Sequence, residues 1–167
     1  MLQKKICMLG SFSVGKTSLV RRFIHGFFDE KYQTNIGVKV DNKTLELDGE
    51  KLLLLLWDIY GEDRFQKVQM SYLSGMSGYL LVVDPTRRQT LDDALDLQKR
   101  VRDTKGDVSS ILLLNKCDLL EDWEIDPDRV SELERNGQPV LRTSAKTGEG
   151  VEEAFSRLAQ AMLKSPA

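Results

Sequence analysis

The sequence predicts an α/β fold: a mostly parallel, six-stranded sheet with one antiparallel edge strand and helices on both faces. Three observations predict it. Short apolar runs alternate with amphipathic stretches along the whole chain, the pattern of successive β/α units. The runs are apolar at consecutive positions, so both faces of each strand must be covered, as in a sheet lying between helices. One segment, Val38 to Leu47, instead separates Val38, Val40, Leu45 and Leu47 with polar residues, which suits an edge strand with one wet face.

Taken in chain order, the first buried strand is read at Lys5 to Leu9. A helix follows over Lys16 to His25, where Leu19, Val20, Phe23 and Ile24 form one stripe. The edge strand Val38 to Leu47 runs into Asp48-Gly49, which predicts a type I′ hairpin turn because both residues tolerate positive φ. Its partner strand is Leu52 to Trp57, and further buried strands are read at Tyr79 to Val83, Ile111 to Leu114 and Pro139 to Leu141. Between them lie a helix from Thr90 to about Thr104, opening on the capping-box pattern Thr90-Leu91-Asp92-Asp93, and a shorter one over Asp126 to Arg135. The last helix, Val151 to Leu163, repeats Val151, Ala154, Phe155, Leu158 and Met162 at helical spacing.

The composition agrees with one soluble globular domain spanning residues 1–167, with 41% of residues hydrophobic and 30% charged. A chain of this size buries about two thirds or more of its unfolded surface, so the core needs neither disulfides nor a structural metal. Lys+Arg 24 against Asp+Glu 26 leaves a net charge of −2, which argues against a nucleic-acid backbone as the main partner. Cys7 and Cys117 share no CxxC spacing and read as reduced thiols of a cytoplasmic protein. The longest apolar run, Leu52 to Trp57, falls far short of the ~20 residues of a membrane helix. Met1 to Lys5 leads straight into the first strand, and Lys164-Ser165-Pro166-Ala167 offers no cysteine to prenylate, so no direct membrane anchor is expected.

The chemistry concentrates where strands end. After Leu9 comes Gly10-Ser11-Phe12-Ser13-Val14-Gly15-Lys16-Thr17, the pattern GxxxxGK[ST] between a strand and a helix. Glycines let successive backbone N–H groups converge on an anion, and the helix N-terminus adds its positive end. Lys16 then reaches the β- and γ-phosphates of a nucleoside triphosphate, and the Thr17 hydroxyl is a ligand for Mg²⁺. Two later segments choose the base. Asn115-Lys116-Cys117-Asp118 follows one strand, and Thr143-Ser144-Ala145-Lys146 follows the next. A carboxylate at Asp118 accepts from both the ring N–H and the exocyclic amine of guanine, and a backbone N–H near Ala145 donates to the guanine carbonyl. Adenine would leave those groups buried and unpaired. A kinase that binds ATP and passes its γ-phosphate to a small acceptor also carries a glycine loop, but the Asn115 to Asp118 segment speaks against it.

On these residues the chain resembles the small GTPases of the Ras superfamily, most of all the Rab branch. Further matches are Trp57-Asp58-Ile59-Tyr60-Gly61, Ile36-Gly37-Val38, Leu45-Glu46-Leu47-Asp48-Gly49, Arg64-Phe65 and Tyr72. The resemblance implies the G-domain form of the P-loop NTPase fold, GTP and GDP as ligands, and Mg²⁺. It implies a nucleotide site made of Gly10, Ser13, Val14, Gly15, Lys16, Thr17, Ser18, Phe28, Asn115, Lys116, Asp118, Ser144, Ala145 and Lys146. In the family Asp58 holds Mg²⁺ through water, the Gly61 N–H senses the γ-phosphate, and Phe28 packs on guanine. Signal transduction through an exchange factor, an activating protein and effectors is implied too, with residues 32–40 and 61–72 as the contact surface.

Four positions depart from the family pattern. Glu62 stands where the family has the glutamine that orients the attacking water. Glutamine accepts from water and donates to developing charge, whereas an ionised glutamate only accepts; one lost donor typically costs about 10²–10³ in rate. Phe12 replaces a small residue near the γ-phosphate and would obstruct an arginine inserted by an activating protein, unless it folds outward. Asn35 stands at the position of the threonine that contacts Mg²⁺; either Asn35 serves through its carbonyl or the loop presents Thr34. Val40 replaces the phenylalanine of an aromatic trio that otherwise retains Trp57 and Tyr72. The expected activity is a guanine-nucleotide switch with slow GTP hydrolysis assisted by Lys16, Gly61 and Glu62; the alternative is a GTP- or GDP-holding scaffold that does not turn over.

Overall fold

Successive apolar residues on a strand point to opposite faces, so each two-sided strand must be sandwiched. The computed structural model, which describes residues 1–26, 37–60 and 68–164, builds that sandwich. Its strands are β1 (Leu2–Leu9), β2 (Val38–Leu47), β3 (Glu50–Ile59), β4 (Gly78–Val83), β5 (Ser109–Leu114) and β6 (Val140–Arg142). They form one sheet in the order β2-β3-β1-β4-β5-β6, in which only β2 and β3 run antiparallel.

The helices are α1 (Lys16–His25), α2 (Gln89–Lys105), α3 (Pro127–Arg135) and α4 (Val151–Lys164). Ile6, Met8, Leu54, Leu56, Leu80 and Val82 turn toward α1 and α4, where Phe23 stacks on Phe155 at 4.0 Å between ring centroids. The alternate residues Cys7, Leu9, Tyr79, Leu81 and Val83 face Leu91, Ala94, Leu97 and Val101 of α2, with Val130 and Leu133 of α3 at the margin. Every residue of β4 is buried, as a central strand covered on both sides requires. No helix among the described residues is long and apolar enough to cross a membrane.

The hairpin turn has the expected chemistry: Asp48 and Gly49 sit at φ 50° and 82°, and Leu47 pairs with Glu50. At α3, Asp126 accepts from the Asp128 N–H at 2.9 Å and Pro127 opens the helix, where a missing N–H costs nothing.

Several sequence readings shift: β3 extends to Glu50–Ile59 and β5 begins at Ser109. β1 begins at Leu2, because Gln3 and Lys4 pair with β3 although they are polar. β6 covers Val140–Arg142 and not Pro139–Leu141; proline has no N–H for the ladder, although the Pro139 carbonyl accepts from Leu112. The Thr90 capping box does not form. Helix α2 starts one residue earlier, and the buried Thr90 hydroxyl accepts from the Asp84 N–H at 2.9 Å while lying 2.8 Å from the carbonyls of Asp84 and Arg87. Asp93 reaches away instead, to the Ser11 hydroxyl.

Parallel strands place all their C-terminal ends on one edge. From β1 the chain first reaches β3 on one side and later β4 on the other, so the sheet's direction of winding reverses there and a crevice opens at the end of β1.

Candidate functional site

The loop after β1 uses the freedom its glycines supply. Gly10 lies at φ 148° with a would-be Cβ 2.4 Å from the Val82 carbonyl, and Gly15 at φ 107° with one 2.2 Å from Asn115 Nδ2. Neither position has room for a side chain. Ser13 adopts φ 61° without being glycine, a conformation that costs about 1–2 kcal/mol. Helix α1 starts at Lys16 with no acidic residue of its own in its first turn, so its positive end faces the loop. The Lys16 ammonium is buried over the loop, 2.6 Å from the Gly10 carbonyl and 3.3 Å from that of Ser11. Backbone donors, helix end and ammonium thus gather at one concave turn, as an anion site requires.

Beside this turn, the Thr17 hydroxyl donates to Asp58 Oδ2 at 2.5 Å and lies 3.5 Å from the Tyr60 hydroxyl. Asp58 Oδ1 is buried and has no hydrogen-bond partner among the described residues. Burial pushes the Asp58 carboxyl above the usual range, against the pull of Lys16, Thr17 and Tyr60. A buried acceptor lacking a donor, next to a hydroxyl oxygen, suits a hard divalent cation bound through one or two protein oxygens plus phosphate and water. The residues present therefore fit Mg²⁺.

The loops that follow β5 and β6 are tied to the glycine loop directly. Asn115, at the end of β5, donates through Nδ2 to the Val14 carbonyl at 2.9 Å and accepts through Oδ1 from the Thr143 hydroxyl at 3.1 Å. Lys116 takes the left-handed conformation at φ 63°, and its ammonium reaches Asp84 Oδ2 at 2.6 Å. The Cys117 N–H donates to the Thr143 carbonyl. Asp118 is exposed, and its Oδ1 accepts from the buried Ser144 hydroxyl at 2.8 Å; Ala145 is buried and Lys146 exposed next to them. Thus Gly10, Ser13, Val14, Gly15, Lys16, Thr17, Ser18, Asn115, Lys116, Asp118, Ser144, Ala145 and Lys146 lie on loops or helix starts beyond the C-terminal ends of the strands, and Asp58 lies near the C-terminal end of β3. Phe28, Asn35, Thr34, Gly61 and Glu62 lie outside the described residues.

Sequence reasoning missed four contributors. Asp84 follows β4 at the same edge and is 1% exposed; it accepts from Thr86, Arg87 and Lys116. Arg87 bonds the Phe12 carbonyl, and the Trp123 indole N–H donates to the Lys116 carbonyl at 3.1 Å. Glu149 accepts from the Cys117 thiol at 2.7 Å. The strand-end rule that singled out Asn115 and Thr143 applies equally to Asp84 and would have found it. Phe12 itself is 47% exposed at the rim, and Val40, also exposed, pairs in register with the half-buried Trp57.

A family model described as the Ras family matches residues 5–164 of this chain. The chain is similar to Ras-related protein Rab-8B of Homo sapiens, 34% identical over 158 residues, which are 93% of this chain and 76% of the relative. It is similar to Ras-related protein Rab-13 of Canis lupus familiaris, 32% identical over 161 residues, covering 95% and 79%. Ras-related protein Rab-4 of Dictyostelium discoideum is 35% identical over 161 residues, covering 95% and 78%.

Proposed function

The chain belongs to the Ras family as a Rab-like small GTPase, a GTP-binding switch, and from that footing we propose that it binds GTP and GDP with Mg²⁺ and hydrolyses GTP slowly. One observation carries the site assignment: the Asn115 side chain bridges the Val14 carbonyl and the Thr143 hydroxyl, so phosphate loop and base loops form one connected surface. In this reading residues 1–167 form a single G domain in the cytoplasm.

The backbone of Gly10, Ser13, Val14, Gly15, Lys16, Thr17 and Ser18 cradles the phosphates, and the Lys16 ammonium exchanges the loop carbonyls for phosphate oxygens. Asp118 selects guanine, Ser144 holds the Asp118 carboxylate in place, and Asn115, Lys116, Ala145 and Lys146 complete the base pocket with Phe28. Thr17, Asp58 and Asn35 would hold Mg²⁺, which when bound neutralises charge on the phosphates. Gly61 contacts the γ-phosphate, so residues 32–40 and 61–72 order in the triphosphate state and present a surface to exchange factor, activating protein and effectors.

Hydrolysis relies on positioning and electrostatics without a covalent intermediate. Glu62 orients water poorly because it brings negative charge and no donor. A second reading, a scaffold that holds its nucleotide without turnover, is favoured by Glu62, Phe12 and Asn35 together.

The nucleotide that copurifies with the chain tests the proposal. Chromatography of the denatured extract should find GDP or GTP, and Lys16→Ala should lose it. Asp118→Asn should weaken guanine binding and admit xanthine, since it reverses one donor relation. A Lys16→Ala variant still carrying GDP, or an unchanged base preference in Asp118→Asn, would sink the assignment.

A further inference from the structure

Three consecutive carbonyls of the phosphate loop have cationic donors. Lys16 serves Gly10 and Ser11 from within, and Arg87 serves Phe12 from outside, its Nη2 donating at 2.9 Å. The same guanidinium donates through Nε to Asp84 Oδ2 at 3.1 Å. Lys116 of the guanine motif donates to that same oxygen at 2.6 Å, while Asp84 Oδ1 accepts from the backbone and hydroxyl of Thr86. Asp84 is 1% exposed and so cannot swing away, whereas Arg87 is half-exposed and takes its orientation from its two acceptors.

The Phe12 carbonyl and the Ser13 N–H belong to one peptide unit, and no peptide bond in the described residues is cis. In a trans unit the two point in opposite directions. A donor fixed on the carbonyl therefore fixes the direction of the Ser13 N–H, which faces away from Arg87. A charged donor also polarises the amide and strengthens the N–H as a donor. The constraint matters most here because Ser13 sits at φ 61°, where a non-glycine residue relaxes unless its surroundings hold it. On the other side of the same bend, the Ser11 hydroxyl donates to Asp93 of α2 at 2.8 Å, and Gln89 steadies that carboxylate at 3.0 Å.

We propose that Arg87 is a positioning residue for nucleotide retention, orienting the Phe12–Ser13 peptide toward bound phosphate and linking it, through the shared Asp84 carboxylate, to Lys116 of the base motif. The inference rests on the reading of the glycine loop as a guanine-nucleotide site and adds a strap that the loop's own sequence does not contain. It needs the fork of arginine, because two acceptors are bonded at once through different nitrogens.

The test is release of a fluorescent GDP analogue, chased with excess GDP, from the wild type, Arg87→Ala and Arg87→Lys. Loss of one charge-assisted bond at a half-exposed group should speed release about tenfold in Arg87→Ala, with association nearly unchanged. Arg87→Lys should stay close to the alanine variant, because one ammonium replaces a two-pronged donor. In ¹H–¹⁵N spectra of the GDP complex, the Ser13 amide proton should move upfield in both variants, a change that general loosening of the surface would not confine to that residue. Release at the wild-type rate in Arg87→Ala, full recovery in Arg87→Lys, or an unmoved Ser13 resonance would overturn the strap while leaving the nucleotide site standing. A wild-type chain that fails to retain the analogue at all would overturn both.

Discussion

Replacing Asn115 by alanine should cost about 3 kcal/mol of folding stability, because this side chain is 2% exposed and both its ends are bonded. Its two hydrogen bonds contribute roughly 1 kcal/mol each, and their loss strands the Val14 carbonyl and the fully buried Thr143 hydroxyl without a partner, which accounts for the remainder. Gly15 lies so close to Asn115 Nδ2 that it has no room for a side chain of its own, so the amide fills the space between the two loops. At roughly 2–4 °C per kcal/mol for a domain of this size, the melting midpoint should fall by about 6–12 °C. Urea melts with and without GDP separate two effects: the loss without nucleotide reports the internal bonds, and any extra loss with GDP reports weakened binding through mass action. Asn115→Asp is the informative partner variant, since it keeps an acceptor for Thr143 but sets a carboxylate oxygen against the Val14 carbonyl; it should be no more stable than the alanine variant. A loss below about 1 kcal/mol for Asn115→Ala would refute the view that this side chain holds the two halves of the site together.

Three further outcomes can be stated. Burial alone would raise the Asp84 carboxyl, but the bonds from Lys116, Thr86 and Arg87 outweigh it and hold it below the usual range. Its stabilising contribution is therefore complete above the unfolded value of about 3.9 and disappears as pH falls through the lower folded value, so urea midpoints of Asp84→Asn should decline less in acid than those of wild type; parallel curves would contradict the linkage. Burial pushes both thiols up to about 12, assisted at Cys117 by the Glu149 carboxylate, so Cys7 and Cys117 should react with a thiol reagent at neutral pH far more slowly in the native chain than in denaturant. Single-turnover GTP hydrolysis should rise in Glu62→Gln by up to about 10²-fold, and an unchanged rate would favour the scaffold reading.

Much of the architecture was legible because it follows from local rules. Consecutive apolar positions read as strands covered on both sides, and β4 is buried at every residue; in β3, next to the edge strand, Leu52, Leu54 and Leu56 are buried but Leu53, Leu55 and Trp57 only half-buried. Asp48-Gly49 requires positive φ twice, and the turn has it. Where a local rule met a tertiary competitor it gave way. Thr90 has the spacing of a helix cap but is held by the Asp84 backbone, and Pro139 has the apolar character of a strand residue but no N–H to pair.

The sequence by itself determined the alternation of elements, the glycine-shaped loop after β1 and the polar residues at the strand ends, because each depends on residues close together in the chain. Only the tertiary structure decided that Asn115 would meet Val14 across 101 positions, that Arg87 would hold Phe12 across 75, and that Lys116 would share Asp84 with that arginine. Hydrophobic periodicity specifies which side chains are buried but is indifferent to which strand lies beside which. Pairs of distant donors and acceptors become definite once the sheet order places β4 next to β1 and β5 next to β4.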